Sequence, residues 1–255
     1  MFVAVVPPLA AVALTAAARG GGGSGWITFG IFAIILALAG VGAYFSYLKE
    51  KQRTEALRQL AEGLQFDFSA KDDAGLLTSL APDNFHLFAQ GSGKKCSNVL
   101  RGQANDLEVT IFDYRYTTGS GKSSHTWRQT VIVFRLPGPP LPAFSLRPLN
   151  FWHKVGHLFG YQDITFDEHP AFSARYLLRG PNEAAVRQLF TEEALAWYEG
   201  TNGLSTEGRG DRLLFYRHNK RVEPPAIRSF LEEGFKVLAL FNPPGDETQA
   251  QPNAE

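Results

Sequence analysis

The chain starts with long apolar stretches and then changes to a pattern in which apolar and polar residues are mixed. Residues 26–48 form a run of 23 residues without a charged side chain. A helix of that length rises roughly 34 Å, which is enough to cross the hydrocarbon core of a bilayer. Trp26 at one end, and Tyr44 and Tyr47 at the other, lie where interfacial aromatic side chains are expected. The pattern therefore predicts a transmembrane helix over 26–48.

Basic residues follow this apolar run at once, beginning with Lys49, Lys51 and Arg53. Because the cytoplasmic flanks of membrane helices are enriched in Lys and Arg, we expect an inner (plasma) membrane protein whose soluble domain is cytoplasmic. Leucines at helical spacing predict that the helix continues over 49–64 as a juxtamembrane helix.

The first 25 residues allow three interpretations. Residues 2–18 are apolar, but they lack the basic start of a secretory signal and are interrupted by Pro7 and Pro8. They fit a short first membrane span, a poor signal peptide or a leader without structure. A Gly-rich linker over 19–25 follows them.

From residue 65 to residue 242 the pattern predicts one soluble α+β domain of mostly antiparallel strands with several helices. Residues 107–117 and 126–136 are rich in β-branched and aromatic residues and partly alternate, which predicts an antiparallel hairpin. A C-terminal amphipathic helix is predicted over 225–241, where one stripe of the helix is apolar. The polar tail, 243–255, is predicted to be disordered.

Shorter elements complete the predicted domain. They are a helix over 72–80 capped by Asp72, a strand over 98–103, an edge strand over 144–147, a helix over 150–159, strands over 163–166 and 175–179, a helix over 182–190, a short helix capped by Thr191, and a hairpin of strands 204–207 and 212–217.

Charge and cysteine content exclude several classes of protein. The chain has 25 basic and 25 acidic residues, and Arg19 is the only charged residue before Lys49. A domain so evenly balanced lacks the basic surface of a nucleic-acid-binding protein, so no nucleic acid is expected as a partner. A single cysteine excludes an intrachain disulfide, which suits a cytoplasmic domain.

The run GSGKSS at 119–124 is similar to a phosphate-binding loop. Tyr116 stands where that motif requires its first glycine, and a predicted strand follows where the motif requires a helix. We therefore interpret the run as a hairpin turn, and no cofactor is predicted. Arg209, Gly210 and Asp211 spell an integrin-binding tripeptide. Because they fall in a predicted hairpin turn of a predicted cytoplasmic domain, we interpret this match as coincidence.

His153 and His157 are four residues apart on a predicted helix, a spacing that can chelate a metal ion. Asp163 or Asp167 would have to supply further ligands, and exposed histidines are the simpler interpretation. The same helix sets bulky apolar residues against a weakly basic face, which suggests contact with lipid, while packing on the sheet is the alternative. The predicted lipid-contact residues are Phe151, Trp152, Lys154 and Phe159.

Cys96 follows Lys94 and Lys95, whose charges would lower the pKa of its thiol. A cysteine nucleophile also needs an oriented base, for which His86 and His125 are the candidates. This makes Cys96 a candidate catalytic residue.

Several runs of the chain carry a resemblance: FDYRYTTGSGKSSHTWRQTVIVF, LPAFSLRP, FWHKVGHLFGYQDITFDEHPAFSARYLLRG and RLLFYR. Over most of 54–241 the chain resembles bacterial single-pass membrane-anchored proteins of unknown function. The resemblance implies a bacterial, membrane-associated setting and carries over no site residues.

Two functions follow from these features. The first is a non-catalytic interaction or scaffold module at the cytoplasmic face, with membrane lipid or another membrane protein as its partner. The alternative is a membrane-tethered hydrolase or metal-dependent enzyme that uses Cys96 or the region of His153 and His157.

Overall fold

The computed structural model describes residues 25–149 and 162–241. By its internal contacts the chain divides into two compact units, Met1–Arg53 and Thr54–Glu255, of which the second is here called the C-terminal unit. The predictions made for residues 2–18, for the helix over 150–159 and for the tail lie outside the described residues.

Helix α1 runs from Gly25 to Leu64 without a break, so the predicted membrane helix and the juxtamembrane helix are one element. Its N-terminal part is long and apolar enough to cross a membrane, by length and composition. The large apolar side chains of this part are exposed rather than buried in protein, as those of a lipid-facing helix would be; they include Trp26, Phe29, Ile34, Leu38 and Phe45.

The C-terminal unit is built on one eight-stranded sheet in which every strand pair is antiparallel. The order across the sheet is β1-β2-β3-β4-β8-β7-β5-β6. The strands are β1 Asp67–Lys71, β2 Ser92–Ala104, β3 Leu107–Thr118, β4 His125–Arg135, β5 Leu141–Pro148, β6 Tyr176–Arg179, β7 Leu204–Gly210 and β8 Arg212–Arg217. With its helices, this sheet confirms the predicted α+β class.

The hairpin of β3 and β4 is confirmed, with Glu108 paired to Arg135 at one end and Thr118 to His125 at the other. A 3-10 turn, Gly121–Ser123, lies between the strands and leads into β4 rather than into a helix. Gly119 has a φ of 76°, and a Cβ there would lie 2.4 Å from the Ser123 carbonyl oxygen. The glycine is therefore needed to close a hairpin turn, as the sequence predicts.

The other helices are α2 Leu76–Leu80, α3 His86–Ala89, α4 Pro170–Arg175, α5 Glu183–Leu189, α6 Glu192–Glu199 and α7 Ile227–Phe241. The predicted Thr191 cap is confirmed, since the Ala194 N–H donates to Thr191 Oγ1. Asn182, for which no cap was predicted, caps α5 in the same way by accepting from the Ala185 N–H. The Asp72 carboxylate accepts from two N–H groups at the start of α2, although that helix begins later than predicted.

One face of the sheet packs against α7 and is called the α7 face. Its core contains Phe134 of β4, Phe215 of β8 and Phe230 of α7, none of which is more than 4% exposed. A Cβ on Gly234 would lie 2.9 Å from the Phe134 ring, so this glycine lets the helix approach the sheet closely. The predicted apolar stripe of the C-terminal helix is buried here: Ile227, Phe230, Leu231, Gly234 and Leu238.

The opposite face carries α2 and α3 and is called the α3 face. Over β3 it holds a row of aromatic rings that begins with Phe88 of α3. The ring centroids lie 5.0 Å apart for Phe88 and Tyr114, 5.7 Å for Tyr114 and Tyr116, and 6.5 Å for Tyr116 and Trp127. Aromatic pairs at these separations add to the stability that burial gives.

Two predicted strands differ from the structure. Strand β5 pairs with both β6 and β7, so it is not an edge strand, and Pro142 lies near its start. The β5–β7 register shifts between Leu141 and Phe144, and such an irregularity accommodates a proline that cannot donate to the ladder. The predicted strand over 163–166 is reduced to one bridge between Ile164 and Leu178.

Candidate functional site

The candidate metal and lipid-contact residues cannot be placed. His153 and His157, and likewise Phe151, Trp152, Lys154 and Phe159, lie outside the described residues, so both sites stay predictions. Of the proposed extra ligands, the Asp163 carboxylate accepts from Arg179 Nε at 2.6 Å, and Asp167 is exposed. Within residues 25–149 and 162–241, no three His, Cys, Asp or Glu side chains form a group that could hold a metal ion.

Cys96 lies in β2 and is only 1% exposed, within the aromatic cluster of the α3 face. Burial, and to a lesser degree Asp72, raises the pKa of its thiol. This direction is opposite to the one expected from Lys94 and Lys95, because those two side chains are exposed while the sulfur is buried. A thiol in such surroundings is inert at neutral pH.

A polar cluster that was not predicted lies on the α3 face of β5, β6 and β7. Ser145 of β5 pairs with Arg179 of β6 on one side and with Glu207 of β7 on the other. Because alternate residues of a strand share a face, Arg147 lies on the same face as Ser145, and Arg209 on the same face as Glu207. The register therefore gathers five polar side chains on one part of the sheet.

Glu207 is the most buried member of this cluster, with 1% of its surface exposed. Its carboxylate accepts from the N–H groups of His86 at 2.6 Å and Leu87 at 3.1 Å, and from the Tyr216 hydroxyl at 2.8 Å. Burial raises the pKa of Glu207, while these donors and the Arg147 charge act in the other direction. The carboxylate thus fixes α3 to the sheet across 120 residues of sequence.

Arg147 and His86 are in direct contact through the Arg147 NH1 and His86 Nε2 atoms, and both residues are buried. Burial, followed by the charges of Arg147 and Arg179, lowers the pKa of His86 to about 3. The imidazole is therefore neutral at physiological pH. Since an arginine can only donate, Nε2 accepts and Nδ1 carries the proton.

These residues line a cleft between the turn before α3 and strands β5, β6 and β7. Its empty space is about 540 Å³, part of which is open to solvent. The Arg209 NH1 group donates to the Asp83 carbonyl oxygen at 2.8 Å, and Arg212 forms an ion pair with the Asp83 carboxylate. The polar side chains of the lining are Asp83, Asn84, His86, Ser145, Arg147, Arg179, Glu207 and Arg209.

The Ser145 hydroxyl of the cleft is buried and has no hydrogen-bond partner among the residues that the structure describes. An activated serine would need a base in hydrogen-bonding contact with this oxygen. The cleft instead presents guanidinium and hydroxyl donors, which suit the binding of an anion.

A second buried polar network, centred on Asp113, connects the C-terminal part of α1 to the sheet. Its carboxylate accepts from Asn98 Nδ2 and Thr130 Oγ1, each at 3.0 Å. Thr54 of α1 donates to Asn98 Oδ1 at 2.9 Å, and Thr130 Oγ1 accepts from the Val222 N–H at 3.0 Å. This chain of hydrogen bonds is structural, because each group binds another part of the core.

A weak signal of the cleft is present in the sequence. Ser145 and Arg147 alternate with Phe144 and Leu146, which marks one face of a short strand as polar. The signal was missed because β5 was predicted to lie at an edge, where polar side chains face solvent.

The fold and its polar cleft define a class of protein: an α+β unit on an antiparallel sheet, joined to an N-terminal helix long and apolar enough to cross a membrane. No protein-family model and no curated protein sequence matches the chain. The crystal structure of the mycobacterial trehalose monomycolate transport factor A, TtfA, is similar, with a TM-score of 0.54 and 14% sequence identity. The match covers 74% of this chain and 92% of TtfA, and at this identity it shows a shared fold.

Proposed function

We propose that this chain is a membrane-anchored, non-catalytic factor that supports the transport of an envelope lipid. In this proposal α1 crosses the inner membrane, and the C-terminal unit contacts lipid headgroups or a membrane-protein partner on the cytoplasmic side. The observation that carries it is the fold shared with TtfA, a transport factor, in a chain that also has an apolar helix of membrane-spanning length. The buried carboxylates of Glu207 and Asp113 are both bound by the protein's own donors, which favours a non-catalytic role.

The transport role is tested by depletion of the chain in its source bacterium. After a pulse of labelled lipid precursor, synthesis of envelope glycolipid is expected to continue while its appearance in the outer layers falls. Re-expression of the full chain restores export. An unchanged distribution of every labelled lipid in depleted cells would contradict the transport role.

The sidedness is tested with single cysteines, because the native Cys96 is buried. In a Cys96→Ser background, Lys122→Cys lies in the exposed turn between β3 and β4. We expect an impermeant maleimide to label it only after cells are permeabilised, while Ser24→Cys, before α1, reacts in intact cells. Labelling of Lys122→Cys in intact cells would place the C-terminal unit outside the cytoplasm.

The enzymatic alternative is tested in the same depletion strain. A chain with Cys96, His153 and His157 all changed to Ala is expected to restore export as the unaltered chain does, because the proposed role needs none of them. Loss of rescue, with unchanged amounts of protein in the membrane, would favour the metal-dependent or hydrolytic alternative.

A further inference from the structure

We propose that the cleft between β5, β6, β7 and the turn before α3 binds a tetrahedral oxyanion, the phosphate group of a phosphate ester, through Arg147, Arg179 and the Ser145 hydroxyl. The proposal goes beyond the proposed function, because a lipid headgroup and a soluble phosphate ester would occupy the same site. It assigns a ligand class to a cleft whether or not the chain serves lipid transport.

The sheet register brings the three donor side chains together. Ser145 lies directly opposite Arg179 in the β5–β6 pair, and side chains at such positions have Cβ atoms about 4.5–5.5 Å apart. Arg147 follows two residues along β5, on the same face. All three line the same cleft. Donors from two strands therefore converge on one space, as a tetrahedral anion requires, whereas a planar carboxylate would be satisfied by one arginine fork.

The charge of the cleft is positive. Three arginines line it against two carboxylates. The Asp83 carboxylate is already bound by Arg212, and the Glu207 carboxylate is bound by two N–H groups and the Tyr216 hydroxyl. Arg179 contacts Asp163, but that carboxylate is half exposed and so is only a weak counterion. His86 adds no charge near neutral pH, because burial keeps its imidazole neutral.

Ser145 supplies an independent observation. Its hydroxyl oxygen is buried, lines the cleft and has no partner in the part of the chain that the structure describes. Buried polar atoms in native proteins nearly always have a partner, and one that lacks it calls for an explanation. A phosphate oxygen in the cleft would accept from this hydroxyl. The same ligand would then accept from the serine hydroxyl and from the two arginines together.

The test uses the full chain in micelles of an uncharged detergent. Binding of inorganic phosphate is measured by titration calorimetry and by the rise in unfolding temperature, with acetate and chloride at matched ionic strength as comparisons. We expect phosphate to bind and to raise the unfolding temperature more than acetate does. Equal responses to the three anions would overturn the proposal, since general screening by salt would explain them.

Variants then locate the site. Arg179→Gln is expected to weaken phosphate binding by about tenfold or more, because it removes a hydrogen-bonding charge. Ser145→Ala is expected to weaken it severalfold and to leave folding intact, since its hydroxyl has no partner within residues 25–149 and 162–241 to lose. Arg115→Gln, an exposed arginine on β3, is the matched control and keeps the affinity of the unaltered chain. Unchanged affinity in both cleft variants would place the anion elsewhere.

The two sources of phosphate are separated with nanodiscs. If the ligand is a headgroup, discs of phosphatidic acid will compete with inorganic phosphate and discs of phosphatidylcholine will not. If it is a soluble ester, such as glycerol phosphate, the ester will compete and both discs will be inert. Either result supports the cleft. Normal export by Arg179→Gln, despite lost phosphate binding, would leave the site standing and separate it from the transport role.

Discussion

The two faces of the sheet bury different kinds of side chain. On the α7 face the strands and α7 meet through aromatic and aliphatic side chains, such as Phe134, Phe215 and Phe230. On the α3 face, aromatic rings cover β3, but β5 to β7 carry Glu207, Arg147 and other polar groups. The first face needs volume and shape, which many apolar residues can supply. The second needs a partner for each polar atom, so its geometry depends on particular residues.

Phe134→Ala tests the α7 face and is expected to have the largest effect on stability. The ring is 0% exposed and lies 5.1 Å from the Phe235 ring, centroid to centroid. Removing a buried aromatic ring leaves a cavity and costs about 3–5 kcal/mol of unfolding free energy. Denaturant unfolding of the full chain in micelles measures this loss. At denaturant concentrations below its unfolding transition, the variant should still bind phosphate. A loss of less than about 1 kcal/mol in unfolding free energy would contradict the packing described.

Glu207→Gln tests the α3 face at nearly constant volume. The amide NH₂ cannot accept hydrogen bonds, so at least one donor among His86 N, Leu87 N and Tyr216 Oη is left unsatisfied. We expect a loss of about 1–3 kcal/mol in unfolding free energy. Hydrogen exchange of the His86 and Leu87 amides should quicken more than exchange in α7. Thr206→Ser, a neighbour on the other face, is the control; equal quickening in both variants would remove the special role of the carboxylate.

The α7 face could be predicted from the sequence and the site could not, for a physical reason. The stripe of Ile227, Phe230 and Leu238 repeats at helical spacing, so nearby residues alone reveal it. The hairpin of β3 and β4 is equally local, since the two strands are joined by a short turn. Local periodicity therefore predicts the fold class and most elements of that face.

The polar cleft depends on contacts between distant parts of the chain. Glu207 reaches the amides of α3 across more than a hundred residues, and α3 is only four residues long, too short for periodicity to mark it. The pairing of β5 with both β6 and β7 is also non-local. Alternation places Ser145 and Arg147 on one face, but only the strand order shows that this face meets Arg179 and Glu207.

Acid should weaken the α3 face through His86. Burial lowers the pKa of this imidazole from 6.5 to about 3. Below pH 6.5, therefore, His86 binds a proton in the unfolded chain but stays neutral in the folded chain. Its stabilising effect is complete above pH 6.5 and is lost as the pH falls towards 3. By linkage the loss is about 1.4 kcal/mol at roughly pH 5.5.

His86→Gln should lose less stability between neutral pH and about pH 5.5 than the unaltered chain does. Val99→Ala, which is destabilised without losing a titrating group, should keep the original pH slope, and an identical slope in all three proteins would argue against a buried neutral His86.

The finest comparison is between two tyrosines that are neighbours on the α3 face of β3. The Tyr116 hydroxyl donates to Gln90 Oε1 at 3.2 Å, whereas the Tyr114 hydroxyl is buried and has no hydrogen-bond partner in the described ranges, 25–149 and 162–241. Both rings are about 1% exposed and pack 5.7 Å apart, so loss of the oxygen changes apolar burial equally at the two positions. Tyr116→Phe should cost about 0.5–1.5 kcal/mol, the net value of one hydrogen bond. Tyr114→Phe should be neutral or slightly stabilising, because it removes a polar group whose burial nothing offsets. Denaturant unfolding of the two variants, with the double variant to detect coupling, measures the difference. If Tyr114→Phe costs as much as Tyr116→Phe, the Tyr114 hydroxyl has a hydrogen-bond partner in solution, and the two tyrosines contribute to this face in the same way.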